Sequence, residues 1–195
     1  MLKRPREAER RRDERKRTTR FDRPKCHTTI VSSATTMLVS FADRRFKRSA
    51  KRIAAQAGQF KVIDRIEILS EQDLDPAFVS RFRDVLKPNV RGFGYYCWKP
   101  QVILQSLRAL DEGDVLIYVD AGAHLFAASE ERLLEYIETC SASQSVVLAF
   151  QTTWPEASWT KGDLFDHFGV RHNPELTQRG QVNRTVSLRV RRYAT

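Results

Sequence analysis

The run Val115-Leu116-Ile117-Tyr118-Val119 has no charged interruption and is closed at both ends by turn chemistry: Asp111-Glu112-Gly113 before it, Asp120-Ala121-Gly122 after it. A strand with one wet face alternates apolar and polar residues, whereas a strand covered on both faces reads as a near-continuous apolar run. The stretch therefore predicts a central strand of a sheet with helices on both sides. Its neighbours agree. Thr36 to Ala42 reads as a buried first strand, with Asp43 placed to cap a helix. From Arg44 to Gln59, residues Phe46, Ala50, Ile53, Ala54 and Ala57 share one helical face, and Gly58 lies near the end. Phe60 to Leu69 reads as a second strand with a break at Asp64–Arg65. This β-α-β order favours parallel pairing with a right-handed crossover. Ser70-Glu71-Gln72-Asp73 resembles a capping box ahead of a helix reaching Leu86. Pro100 suits the first turn of a further helix, whose buried face is Val102, Ile103, Leu104, Leu107 and Leu110. Ser129 is placed to cap a helix to about Thr139, and Val146 to Phe150 reads as another buried strand. A polar-aromatic loop follows, then Thr160-x-x-Asp163 as a second capping box. The expected fold is α/β, with a mostly parallel central sheet flanked by helices.

The charge sits at the ends. The chain has 195 residues and a net charge of +10, but residues 1–25 hold twelve Lys and Arg against five acids, and residues 179–195 hold five Arg and no acid. The middle, with 17 basic and 19 acidic residues, is close to neutral. The expected organisation is a basic, disordered arm over 1–29, an α/β domain over 30–178 and a basic tail over 179–195. Such a balance argues against nucleic acid as a partner of the folded body. An alternative is a catalytically inactive remnant whose basic ends bind nucleic acid or anionic membrane. Cys26, Cys97 and Cys140 have no zinc-like spacing, and a reduced, cytoplasmic chain is the expectation. No apolar run approaches the roughly 20 residues of a membrane helix.

In an open α/β sheet, ligands bind beyond the carboxyl ends of the strands. Asp120 is at such an end and Asp114 is at the opposite one. A carboxylate there can hold a divalent cation, which neutralises a diphosphate leaving group; alternatively it is a turn or capping residue. Gly122 permits a close backbone approach or a positive φ.

The loop GFGYYCWKP (Gly92 to Pro100), the strand ending in Asp120-Ala121-Gly122, and the segment EASWTKGDLF (Glu156 to Phe165) together resemble a group of bacterial glycosyltransferases with the GT-A fold, which binds nucleotide sugars. The resemblance runs from about Met37 to Gln181. It implies a Rossmann-like GT-A domain that transfers a sugar from a nucleotide-sugar donor to an acceptor hydroxyl, on a glycan or a lipid-linked acceptor, in surface polysaccharide or glycoconjugate synthesis. It also implies a cytoplasmic protein, with peripheral association at the inner membrane face, that starts near Met37 and is shortened at its C-terminus. The implied catalytic residues are Asp120 and Glu156, the latter as the base. The implied donor-binding residues are Tyr95, Trp98, Lys99, Gly122, Trp159 and Lys161: the aromatics stack on a base or sugar, and the lysines meet the diphosphate. The implied cofactor is Mn or Mg on Asp120, aided by His124, because Gly122 stands where the usual second aspartate would be. A surface role for the lysines and Glu156, and core packing for the aromatics, remain open readings.

Overall fold

The computed structural model describes residues 34–192. These residues form one five-stranded open sheet in the order β2-β1-β3-β5-β4. Its strands are β1 (Thr36–Phe41), β2 (Arg65–Leu69), β3 (Val115–Val119), β4 (Val147–Pro155) and β5 (Gly180–Val190). The helices are α1 (Lys47–Ala57), α2 (Pro76–Phe82), α3 (Trp98–Arg108), α4 (Glu130–Ala142), α5 (Gly162–His167) and α6 (Pro174–Thr177). The arm expected over 1–29 lies outside the described residues.

Every residue of β1 and β3 is buried, as the apolar run predicted. Alternate side chains feed two cores, one on each face. Leu38, Ile117 and Val119 pack with Ile53 of α1 and Ile137 of α4. Val39, Phe41, Leu116 and Tyr118 pack on the other face with Trp98 and Val102 of α3. Asp43 caps the helical turn before α1 through Arg45 N (2.9 Å). Ser70 and Asp73 form the reciprocal capping box. Asp114 closes the lower end of β3, accepting from Thr35 N (2.7 Å) and Asp111 N (3.0 Å).

The second half of the chain departs from expectation. The sheet is mixed: β1 is parallel to β2 and β3, but β5 runs antiparallel to both β3 and β4. The stretch expected as a basic tail supplies β5, which lies between β3 and β4. Val186, Leu188 and Val190 face the α1/α4 core, and the arginines occupy positions that this core does not need. The strand expected at Val146 to Phe150 is an edge strand. It runs on to Pro155, takes in the start of the expected loop, and buries only alternate residues partly. Two expected caps also fail. The Ser129 hydroxyl donates back to the Phe126 carbonyl (2.6 Å), and the α4 terminus is held by Glu130 Oε1 accepting from Val62 N (3.0 Å). Thr160 donates to Glu156 instead of capping α5, which begins after Lys161 with no side-chain cap.

Candidate functional site

From β1 the sheet grows to one side through α1 and β2, and to the other through α3 and β3. The two helices lie on opposite faces, so the loops leaving the carboxyl ends of β1 and β3 part from each other. That divergence is the topological switch point at which open α/β sheets bind ligands. A cavity of 560 Å³ occupies it, lined by the β1 end (Phe41, Asp43), the β3 end (Asp120, Gly122), and Arg91 and Tyr96 between them.

Its floor is aromatic. Trp98 stacks on Phe41 with centroids 3.9 Å apart, and its Nε1 donates to the Gly92 carbonyl (2.8 Å). With one face covered and only 6% of its surface exposed, Trp98 builds the cavity rather than offering a free ring to a ligand.

The loop above it is a left-handed helical turn. Gly92, Phe93, Gly94, Tyr95 and Tyr96 have φ of 59°, 49°, 89°, 53° and 64°. Tyr95 N donates to Arg91 O (2.7 Å) and Tyr96 N to Gly92 O (3.2 Å). Left-handed helix costs L-residues about 1–2 kcal/mol each, and Phe93, Tyr95 and Tyr96 all bear that cost. Burial of Phe93 beside Phe41 (centroids 6.3 Å) and the Trp98 hydrogen bond offset it. Gly94 is required here: at φ 89°, a Cβ would also lie 3.0 Å from Leu86 Cδ2. The turn projects Tyr95 and Tyr96 outward, 68% and 51% exposed. Strain of this kind concentrates at ligand-binding sites.

Asp120 is held from two sides. Its Oδ1 accepts from Tyr118 Oη (2.6 Å) and pairs with Lys99 Nζ (2.7 Å). Lys99 also lies over the Tyr118 ring, 5.2 Å from its centroid. Burial, aided by the Asp120 charge, pushes the Tyr118 phenol well above its ordinary value, so it remains a hydrogen-bond donor. The loop after Asp120 is fixed by α1: Arg52 Nη2 donates to the carbonyls of Ala121 (2.7 Å) and Ala123 (3.0 Å), and Gln56 accepts from Leu125 N (3.3 Å). On the β1 side, Arg45 grips Asp43 through Nε (3.1 Å) and Nη2 (2.6 Å) and reaches the Pro88 carbonyl through Nη1 (2.7 Å). The Arg45 guanidinium keeps the buried Asp43 carboxyl below the usual carboxylate range.

The expected site residues fall into groups. Asp120, Gly122 and Trp98 line the switch-point cavity, and Lys99 is joined to it through Asp120. Gly122 has no positive φ, and a Cβ there would meet nothing within 4 Å, so neither backbone nor crowding demands glycine. Tyr95, Trp159 and Lys161 line a neighbouring cavity of 660 Å³ that shares Arg91 and Tyr96 with the first. Glu156 lines neither; its carboxylate accepts from the Thr160 hydroxyl. His124 is exposed and lines neither. Among the described residues no cluster of three or more His, Cys, Asp or Glu could hold a metal ion. The donor set at Asp120 does not fit a resident divalent cation, because an ammonium group already neutralises its carboxylate and Gly122 adds no ligand.

Sequence reasoning missed Arg45, Arg52, Arg91 and Tyr96. The first two carried a signal. Arg45 stands two residues after a strand-end aspartate, and Arg52 and Gln56 share a helix face at i and i+4. Arg91 and Tyr96 gave none, because only the left-handed turn brings them between the two cavities. Comparison with family models, curated proteins and solved structures finds no match to the chain.

Proposed function

We propose that this domain is a glycosyltransferase of the GT-A type, taking a nucleotide-sugar donor in the switch-point cavity. The observation that carries this reading is the cavity itself. It has an aromatic floor, a strand-end carboxylate and an exposed arginine, Arg91, which makes no ion pair among the described residues. Tyr96, rather than Trp98, has a face to offer the base. In the transfer, the acceptor oxygen attacks the anomeric carbon, and the bond from that carbon to the diphosphate breaks with its electrons going to the diphosphate. Arg91 meets the charge that develops there, while Lys99 holds the Asp120 carboxylate in place. Asp120 takes the hydroxyl proton, a role that its cavity position suits better than that of Glu156. The acceptor belongs to surface polysaccharide or glycoconjugate synthesis on the same reading.

The expected cation, Mn or Mg, has no part in these steps. The test is calorimetry and saturation-transfer NMR with a panel of nucleotide sugars, in EDTA and again with manganese. Binding of one donor in EDTA, weakened by Arg91→Ala, is the expected result. If no donor binds in either buffer, the reading is wrong.

A further inference from the structure

Helix α4 covers β4 and β5 on one face. On the opposite face, a groove of 1080 Å³ runs between α3 and the sheet. Its walls are apolar: Ile103, Leu104 and Leu107 from α3, Leu164 from α5, and Ala149 and Val182 from β4 and β5. One end opens onto Lys99 and Asp120, so the groove leads to the proposed reaction centre. Within it lies Arg189, which is half-buried, donates to Ser187 Oγ, and forms no ion pair among the described residues. Burial pulls its pKa below the ordinary arginine value, the direction expected of a cation without a carboxylate neighbour. With Lys99 and Asp120 cancelling, the described residues of the groove carry one net positive charge, at Arg189, which pairs with Leu116 and lies at the end of the trough away from Asp120.

An apolar helix of another chain would leave that charge desolvated without compensation. A ligand with one anionic head and an apolar tail matches both features. We infer that this groove binds a single-chain lipid phosphate, with its phosphate at Arg189 and its tail along α3 towards the Asp120 end. This assignment does not rest on the transferase reading.

The full chain is titrated with farnesyl phosphate below its micelle concentration, with farnesol and inorganic phosphate as separate arms. Farnesyl phosphate binds more tightly than either. Arg189→Gln weakens it about tenfold or more, while Arg189→Lys retains most of the affinity. Leu104→Glu, on the exposed rim of the groove, removes binding of farnesyl phosphate and farnesol alike. Equal affinity in wild type and Arg189→Gln overturns the inference, as does inorganic phosphate binding as tightly as farnesyl phosphate. So does a dimer by sedimentation that Leu104→Glu dissociates, since a second copy would then fill the groove. Nucleotide-sugar binding is measured on the same samples. Lipid binding without donor binding defeats the transferase reading and leaves the groove assignment standing; donor binding without lipid binding does the reverse.

Discussion

Replacing Gly92 by alanine tests the left-handed turn and the tyrosine it presents. A Cβ on Gly92 would lie 2.6 Å from Tyr96 Cζ and 2.7 Å from both Cε atoms, so the ring lies flat against the glycine. The alanine bears two costs. Its φ of 59° is left-handed, worth about 1–2 kcal/mol. The ring must also swing away, losing its packing on Gly92 and its edge contact with Trp98 (centroids 6.2 Å), worth about 1 kcal/mol. The total is about 2–3 kcal/mol, or roughly 4–12 °C in Tm for a domain of this size. Gly113 supplies the control. It has φ 92° but nothing within 4 Å of its Cβ, so Gly113→Ala incurs the conformational cost alone. Thermal and urea denaturation followed by circular dichroism measure both. In a Tyr96→Ala background, Gly92→Ala should cost no more than Gly113→Ala, giving a coupling of about 1 kcal/mol. Equal costs for the two glycines in the wild-type background, or an additive cycle, would refute the stacking of Tyr96 on Gly92.

Asp43→Asn removes the charge from a buried carboxylate gripped by an exposed arginine and is expected to cost about 1–2 kcal/mol at neutral pH. The folded-state pKa of Asp43 lies below its ordinary 3.8, so its stabilisation is present above that value and fades as pH falls through the depressed one. Urea unfolding from pH 6 to 2.5 should therefore show a shallower acid limb in the variant; parallel limbs would count against the pairing. Trp98→Phe keeps the stack on Phe41 but loses the bond to the Gly92 carbonyl, costing about 1 kcal/mol, whereas Trp98→Ala costs about 3–5 kcal/mol. Similar urea midpoints for the two would show that Trp98 is not the floor. Gly180→Ala sets a Cβ 1.9 Å from the Thr152 carbonyl oxygen, so the β4–β5 ladder must part there at about 1–3 kcal/mol. Hydrogen exchange should accelerate in β4 and not in β1; uniform exchange would contradict the local pairing.

The first half of the fold was legible because burial on both faces leaves a plain signature. Thr36 to Phe41 and Val115 to Val119 read as buried strands and are so. Once those strands were placed, the position of Asp120 followed from the rule about strand ends. The second half misled for a physical reason. Val186, Leu188 and Val190 alternate correctly, but α3 leaves the other face of β5 open, and that face accepts Ser187 and Arg189. Arginine in the pattern thus reads as a tail when it marks a half-covered strand. The left-handed turn was illegible because two glycines explain only two of its five positive φ angles. Phe93, Tyr95 and Tyr96 are held there by tertiary packing that local propensity does not carry. The resemblance implied Trp98 as a donor contact and Glu156 as the base; the structure places Trp98 in the cavity floor and ties Glu156 to Thr160.

The seat of β5 between β3 and β4 has a consequence for the order of assembly. β1, β2 and β3 can pair with one another as soon as Val119 has been made. Among the described strands β4 has no neighbour but β5, so it must wait for residues 180–190 before its ladder with β5 can close. Through that interval one edge of β3 and both edges of β4 stay open, and unpaired edges are templates for pairing with other chains. Completion of the sheet is thus a late, non-local event whose loop-closure cost precedes its reward. The nascent chain is most exposed to misassembly between the synthesis of Pro155 and that of Val190.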